Sequence, residues 1–118
     1  MIGIVGLGTV GTALAQALLN RHAMLHCDPA LTDAVPLERL ATECRIVFVC
    51  VPTPPAASGA ADVSIVQAVV QVLAEAAGAQ PPLVALKSTL PPGTTQALAH
   101  KHPALPLVAC PEFLRHAT

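Results

Sequence analysis

A glycine-rich stretch near the start of the chain has the spacing of a dinucleotide-binding turn. Gly6, Gly8 and Gly11 form the pattern GxGxxG, which follows the apolar run Ile2–Val5 and opens an Ala/Leu-rich segment. In such a turn the first glycine allows a tight bend, the second lets backbone amides approach a pyrophosphate, and the third lets helix and strand pack closely. This strand–turn–helix setting favours a dinucleotide site over a turn without a ligand. The predicted contacts are Gly6, Gly8, Thr9, Val10 and Gly11.

An acidic residue follows the second apolar run. Asp28 comes directly after Met24–Cys27, where its carboxylate would accept hydrogen bonds from the adenosine ribose hydroxyls. The same carboxylate would repel a 2′-phosphate, and the next residues, Pro29-Ala30-Leu31, offer no arginine to bind one. The sequence therefore predicts NAD rather than NADP.

Two more loops carry polar groups after strand-like runs. Val51, Pro52 and Thr53 follow the third run, and Ser88 and Thr89 follow the fourth. Loops at the carboxyl ends of parallel strands face the ligand crevice, so we expect these residues to contact the cofactor, with the second pair toward its nicotinamide half. A stiff turn that contacts no ligand is an equally good interpretation of the proline-rich loop by itself.

A dense group of reactive side chains lies at the end of the sequence. Pro111 is followed by Glu112, Phe113, Leu114 and Arg115. A carboxylate just beyond a buried strand is held rigidly and is partly desolvated, which suits proton transfer. Without a supporting motif, however, a solvated surface residue is the better interpretation of this glutamate.

Short β-branched runs alternate with Ala/Leu-rich segments, which is typical of parallel strands joined by right-handed crossovers. We predict an α/β fold, a Rossmann-type sheet of about five strands in the order 3-2-1-4-5 with helices on both faces. Asp62 is expected to cap a helix that stops at Gly78, and Thr94 and Thr95 are interpreted as caps of the next one. The predicted strands are Ile2–Val5, Met24–Cys27, Ile46–Val51, Leu83–Leu86 and Leu105–Ala109. The other predicted helices are Val10–Arg21 and Leu37–Thr42.

The composition excludes several classes of protein. A net charge of −1 without basic blocks argues against a nucleic-acid surface. No apolar stretch reaches the ~20 residues that span a bilayer, and the start of the chain lacks the features of a signal peptide. At 118 residues the chain is expected to form a single domain, residues 1–118. We therefore expect no membrane or nucleic-acid partner and a cytoplasmic location.

The four cysteines show neither CxxC pairing nor zinc-ligand spacing. We interpret them as reduced, buried thiols, and we predict no metal site. They are Cys27, Cys44, Cys50 and Cys110.

Taken together, four stretches carry a specific resemblance. IGIVGLGTVG, FVCVPTPP, KSTLPPGTT and PEFLR, in this order, resemble the N-terminal domain of the UDP-glucose/GDP-mannose dehydrogenase family. Enzymes of that family oxidise the primary alcohol of a nucleotide sugar to a carboxylate with two successive NAD molecules. The resemblance implies NAD contacts for the glycine turn, Asp28, Thr53 and Thr89. It also implies that Thr89 is a catalytic residue. It implies a catalytic carboxylate, working through a water, for Glu112, and a sugar-nucleotide segment for Phe113, Leu114 and Arg115.

Several residues depart from the family pattern. Thr9 replaces a tyrosine of the glycine turn, and His116-Ala117 replaces Glu-Gly after PEFLR. Asp33 lies where a basic residue is usual, and the segment between Asp28 and Ile46 is shorter than in the family. Cys110, which replaces an asparagine, is interpreted as a buried strand-end residue rather than a catalytic thiol.

The resemblance covers only the first part of a family enzyme. The catalytic cysteine and lysine, the central helix and the sugar-nucleotide domain have no counterpart, so we expect the isolated chain to lack dehydrogenase activity. A stand-alone dinucleotide-binding module is one alternative, and a self-associating domain without a ligand is another. An uncovered sheet edge would favour a homodimer.

Overall fold

The computed structural model describes residues 1–6, 24–27, 36–51, 53, 57, 59, 62–88 and 90–110. The strands are β1 (Ile2–Val5), β2 (Met24–Cys27), β3 (Ile46–Val49), β4 (Leu83–Leu86) and β5 (Leu107–Ala109). The helices are α1 (Leu37–Glu43), α2 (Ser64–Ala76) and α3 (Thr94–Lys101). The helix predicted over Val10–Arg21 lies outside these residues. None of the helices within the described ranges has the length and apolar character needed to cross a membrane.

The five strands form one parallel sheet in the order β2-β1-β3-β4-β5. The α/β class and the strand number are thus confirmed, but the predicted order 3-2-1-4-5 is wrong. The third strand lies at the centre, between β1 and β4, because the chain crosses back over β1 after β2, and the apolar residues Ile46–Val49 suit this covered position. The connection from β2 to β3 passes over β1, where α1 packs so closely that Leu40 lies against Gly3.

One face of the sheet carries the main core. Val47 and Val49 of β3 and Val84 and Leu86 of β4 are fully buried, and each pair points to a single face because strand residues two apart share a face. Residues of all three described helices join them in one cluster, so these helices cover the same face. The helix residues are Leu40, Ala41, Val66, Val69, Val70, Leu73 and Leu98.

The opposite face becomes more exposed toward β5. Phe48, Ala85 and Val108 lie side by side on three adjacent strands, and Val108 at the edge is 43% exposed. Leu83, two residues before Ala85, is 37% exposed. Apolar side chains are therefore in contact with solvent at the β4–β5 side of the sheet.

Helix α2 forms where its sequence predicts, but Val63 rather than Asp62 occupies the N-cap position. Its buried side chains recur at three- and four-residue spacing, the pattern of a helix with one apolar face. Asp62 accepts a hydrogen bond of 2.9 Å from the Ser64 amide, which satisfies a first-turn N–H group and lowers the pKa of the Asp62 carboxyl. The helix ends at Ala76, just before the predicted stop at Gly78. The buried residues are Val66, Val69, Val70 and Leu73.

Two predicted strand boundaries change. Strand β3 ends at Val49 rather than Val51. Strand β5 begins at Leu107 rather than Leu105, because Pro106 has no N–H group to donate to a strand ladder. Leu105 is instead a buried core residue.

Thr94 and Thr95 are the first residues of α3 and do not occupy its cap position. Gly93 occupies it, with φ +87, and the helix starts at Thr94 without a side-chain cap hydrogen bond. Glycine adopts this left-handed conformation readily, so the backbone turns into the helix without a hydroxyl cap.

None of the four cysteines, all of which lie in the described residues, takes part in a disulfide, and they differ in burial. Cys27 and Cys44 are buried, Cys50 is half-buried and Cys110 is exposed. The prediction that Cys110 is buried is wrong, because it follows an edge strand whose last two residues are themselves exposed.

Thiol alkylation tests this burial order. We expect iodoacetamide at neutral pH to modify Cys110 about tenfold or more faster than Cys44, since burial both blocks the Cys44 thiol and raises its pKa. Peptide mass spectrometry of timed samples measures the rates, and Cys110→Ser should remove the fast phase alone. Equal rates at the two positions would contradict the burial seen here.

Candidate cofactor-binding site at the carboxyl edge of the sheet

The carboxyl ends of β1, β3 and β4 meet at one edge of the sheet. Hydrogen bonds continue the strand ladder one residue past the strands, so the positions of the first loop residues are well defined. The Gly6 amide donates to the Cys27 carbonyl at 2.7 Å, and the Cys50 amide donates to Val5 at 2.8 Å. The Lys87 amide donates to Val49 at 2.9 Å. In a sheet of this order, the ligand crevice lies at this edge, where the chain changes direction between β1 and β3.

Gly6 turns the chain directly above the end of β3. Its φ is +91, and a Cβ atom there would lie 2.8 Å from the Cys50 carbonyl oxygen and 3.2 Å from the Val51 nitrogen. Both the left-handed backbone and the missing space require glycine. The glycine turn therefore begins pressed against the Cys50–Val51 peptide, which is what a tight first bend of a GxGxxG turn needs.

Ser88 connects the ends of β3 and β4. Its hydroxyl donates a buried hydrogen bond of 2.7 Å to the Val51 carbonyl, and 9% of the residue is exposed. The hydroxyl proton is thus used within the protein, and only the oxygen lone pairs remain for a cofactor. Sequence reasoning did not find this bond, since Ser88 and Val51 are 37 residues apart.

Four of the predicted site residues lie in the described part of the chain, and the structure brings three of them together. Gly6, Val51 and Ser88 form a continuous set of contacts, whereas Thr53 is half-buried in the loop beyond. The Val51 side chain belongs to the core, so its backbone is the part that faces the loop. The remaining predicted residues lie outside the described ranges. They are Gly8, Thr9, Val10, Gly11, Asp28, Pro52, Thr89, Glu112, Phe113, Leu114 and Arg115.

The described residues of this edge were also compared with the ligand set of a metal ion. They contain no group of three or more His, Cys, Asp or Glu side chains close enough to hold a metal ion. Sequence reasoning also missed Cys50 as part of the edge, where its carbonyl lies against Gly6. A main-chain contact of this kind leaves no mark on residue type.

Comparison with known proteins decides the family. The model of the UDP-glucose/GDP-mannose dehydrogenase family, NAD binding domain, matches residues 29–118. This chain belongs to that family. The resemblance found in the sequence is confirmed, and NAD is the cofactor of the domain. The turn at Gly6 fits this cofactor, because the positive φ and the lack of space beside Cys50 produce the tight first bend of a dinucleotide-binding turn.

A curated relative extends the match over the glycine turn. YtcA of Bacillus subtilis (strain 168), described as a candidate UDP-glucose 6-dehydrogenase, is 31% identical and aligns with 97% of this chain. The chain spans only 35% of that relative's length. The matched stretch covers 150 residues, more than the 118 of this chain, so the relative carries additional residues within it.

Solved structures confirm the Rossmann-type fold. A UDP-glucose dehydrogenase from Pyrobaculum islandicum superposes with a TM-score of 0.77 at 26% identity, over 97% of this chain and 36% of that one. A GDP-mannose dehydrogenase from Pseudomonas aeruginosa gives 0.79 at 20% identity with the same coverage, which shows the fold alone.

Proposed function

We propose that this domain holds NAD at the carboxyl edge of its sheet for a dehydrogenase that oxidises the primary alcohol of a nucleotide sugar to a carboxylate. The contact between Gly6 and the Cys50–Val51 peptide carries the proposal, because it sets the tight bend that opens a diphosphate-binding turn. When bound, NAD accepts hydride from the sugar carbon. The domain contributes by fixing the cofactor against the ends of β1, β3 and β4.

Each part of the predicted site has a role in this proposal. The turn from Gly6 to Gly11, including Gly8, Thr9 and Val10, surrounds the diphosphate, and Asp28 accepts hydrogen bonds from the ribose. The loops that follow β3 and β4 border the nicotinamide half. Glu112 and Thr89 act near the reacting carbon, where the carboxylate handles a proton or a water. The loop residues are Val51, Pro52, Thr53, Ser88 and Thr89, and the residues beside the sugar nucleotide are Glu112, Phe113, Leu114 and Arg115.

Calorimetric titration tests the cofactor assignment. We expect NAD to bind more tightly than NADP, and Asp28→Ala to weaken NAD by about ten- to hundredfold, the effect of losing hydrogen bonds to a charged acceptor. Asp33→Ala, in the same segment, is the matched control and should leave both affinities unchanged. Equal affinities for NAD and NADP in the unmodified chain would contradict the proposal, as would an unaltered NAD affinity in Asp28→Ala.

We expect the isolated chain to bind NAD but to have no dehydrogenase activity. NAD binding without turnover of UDP-glucose or GDP-mannose is the expected result, since the sequence contains no counterpart of the family's catalytic cysteine and lysine. The protein is proposed to be cytoplasmic, because cysteines outside disulfides are typical of that compartment. Turnover by the purified chain would contradict the inactivity.

A second candidate is a self-associating domain without catalysis. The exposed side chains of Leu83 and Val108 on the β4–β5 side of the sheet favour it, because apolar surface of this kind promotes association. Under this alternative a homodimer forms through that side. Light scattering at high protein concentration separates the candidates when it is combined with the NAD titration. A monomer that binds NAD would exclude the second one.

A further inference from the structure

We infer that Ser88 is a positioning residue, which holds the loop after β3 in place and, through that loop, supports the glycine turn. This inference rests on the proposed function, since the turn and the loop are the parts that would surround NAD. It differs from a direct role of Ser88 in cofactor contact. The Ser88 hydroxyl would affect NAD binding indirectly, by holding the Val51 carbonyl in place.

The hydrogen bond has the properties of a fixed link. The Ser88 oxygen and the Val51 carbonyl oxygen are 2.7 Å apart, and 9% of Ser88 and 4% of Val51 are exposed. Water has little access to either group, so the bond has few competitors. Among the described residues, the Ser88 hydroxyl is the side-chain donor that the structure places on this carbonyl.

The Cys50–Val51 peptide, on which Gly6 rests, directly precedes the Val51 carbonyl that Ser88 binds. The Cys50 amide is bonded to Val5, and the Val51 carbonyl is bonded to Ser88. The segment is therefore held on one side by β1 and on the other side by the end of β4. The position of a Gly6 Cβ atom, 2.8 Å from the Cys50 carbonyl, shows that no free space separates this segment from the turn. A shift of the segment would therefore move the backbone atoms against which Gly6 packs.

Removal of the hydroxyl should loosen this arrangement before any cofactor binds. In Ser88→Ala the Val51 carbonyl loses this hydroxyl donor, whereas the bond from the Cys50 amide to Val5 of β1 remains. We expect the amides of Cys50 and Val51 to exchange hydrogen about five- to tenfold faster in the cofactor-free protein, and NAD affinity to fall by a similar factor, as for the loss of one buried neutral hydrogen bond.

The experiment combines amide hydrogen exchange without cofactor and NAD titration. Ser88→Thr and Ser88→Val have side chains of the same shape, and only the first keeps the hydroxyl. The threonine variant should show slower exchange and tighter NAD binding than the valine variant. Val70→Ala, in the buried core of α2, is the stability control: it should lower the free energy of unfolding but change neither the NAD affinity nor the local exchange.

The outcomes separate the possible failures. Faster exchange together with weaker NAD binding in Ser88→Ala supports the inference. Weaker binding with unchanged exchange would overturn it, because Ser88 would then contact the cofactor directly. Faster exchange with unchanged binding would also overturn it. If the unmodified chain binds no NAD, the proposed function itself fails, whereas unchanged binding in Ser88→Ala leaves that function intact and overturns the positioning role alone.

Discussion

Replacing Gly6 by alanine is expected to lower the free energy of unfolding by about 2–5 kcal/mol and to weaken NAD binding beyond about tenfold. Two effects add at this position. Alanine is strained at φ +91, and its Cβ atom would lie 2.8 Å from the Cys50 carbonyl oxygen. That carbonyl is main chain between bonded neighbours and cannot move aside as a flexible side chain could. The bend at Gly6 would open, which would disturb the turn that we propose binds the diphosphate.

Two other glycines separate these effects. Gly93 has φ +87 but open space around its Cβ position, so Gly93→Ala should cost about 1–2 kcal/mol from backbone strain alone. Gly78 has neither a positive φ nor a close neighbour, and Gly78→Ala should change stability least. Urea denaturation measures the free energies and calorimetry the NAD affinities. If Gly6→Ala and Gly93→Ala lower the free energy of unfolding equally, the close contact between position 6 and Cys50 does not contribute to the destabilisation.

The second large effect is expected where α1 crosses β1. Leu40 is fully buried, and Leu40→Ala should cost about 2–5 kcal/mol because it leaves a cavity beside Gly3. Gly3→Ala should cost about 1–3 kcal/mol, since the new methyl group would lie 2.9 Å from the Leu40 side chain and 3.0 Å from the Cys44 sulfur. The helix packs this closely because Gly3 has no side chain.

The double variant provides the sharper measurement. With Leu40 shortened, the Gly3→Ala methyl group enters the space that the leucine vacated, so the combined loss should fall short of the sum by about 1–2 kcal/mol. The Cys44 sulfur stays close and limits this recovery. Leu73, equally buried but on α2, is the control: Leu73→Ala and Gly3→Ala should add. Additive losses for Leu40 and Gly3 would show that the two residues are not in contact as described.

Local patterns predicted most of the elements. Continuous apolar runs marked the strands, and the spacing of Val66, Val69, Val70 and Leu73 marked the buried face of α2. The predictions were wrong where contacts with distant parts of the chain determine burial or strand order. The burial of Cys110 depends on the edge position of β5, and the strand order depends on which side of β1 the chain reaches after β2.

The candidate site also has one part that the sequence predicted and another part that it did not. Glycine spacing predicts the turn at Gly6, since only a few residue patterns permit that backbone. The support of the turn was not predictable from the chain, because Cys50 takes part through its carbonyl and Ser88 acts on Val51 from another strand.

The amino-acid sequence by itself determined the α/β class, the tight bend at Gly6 and the family, because periodicity, glycine spacing and short motifs are properties of residues close together in the chain. The tertiary structure alone decided that β3 is central, that Ser88 bonds to Val51 and that Leu40 lies on Gly3. The physical reason is that these contacts join residues far apart in the chain. Each is selected by the packing of the whole sheet rather than by local preference.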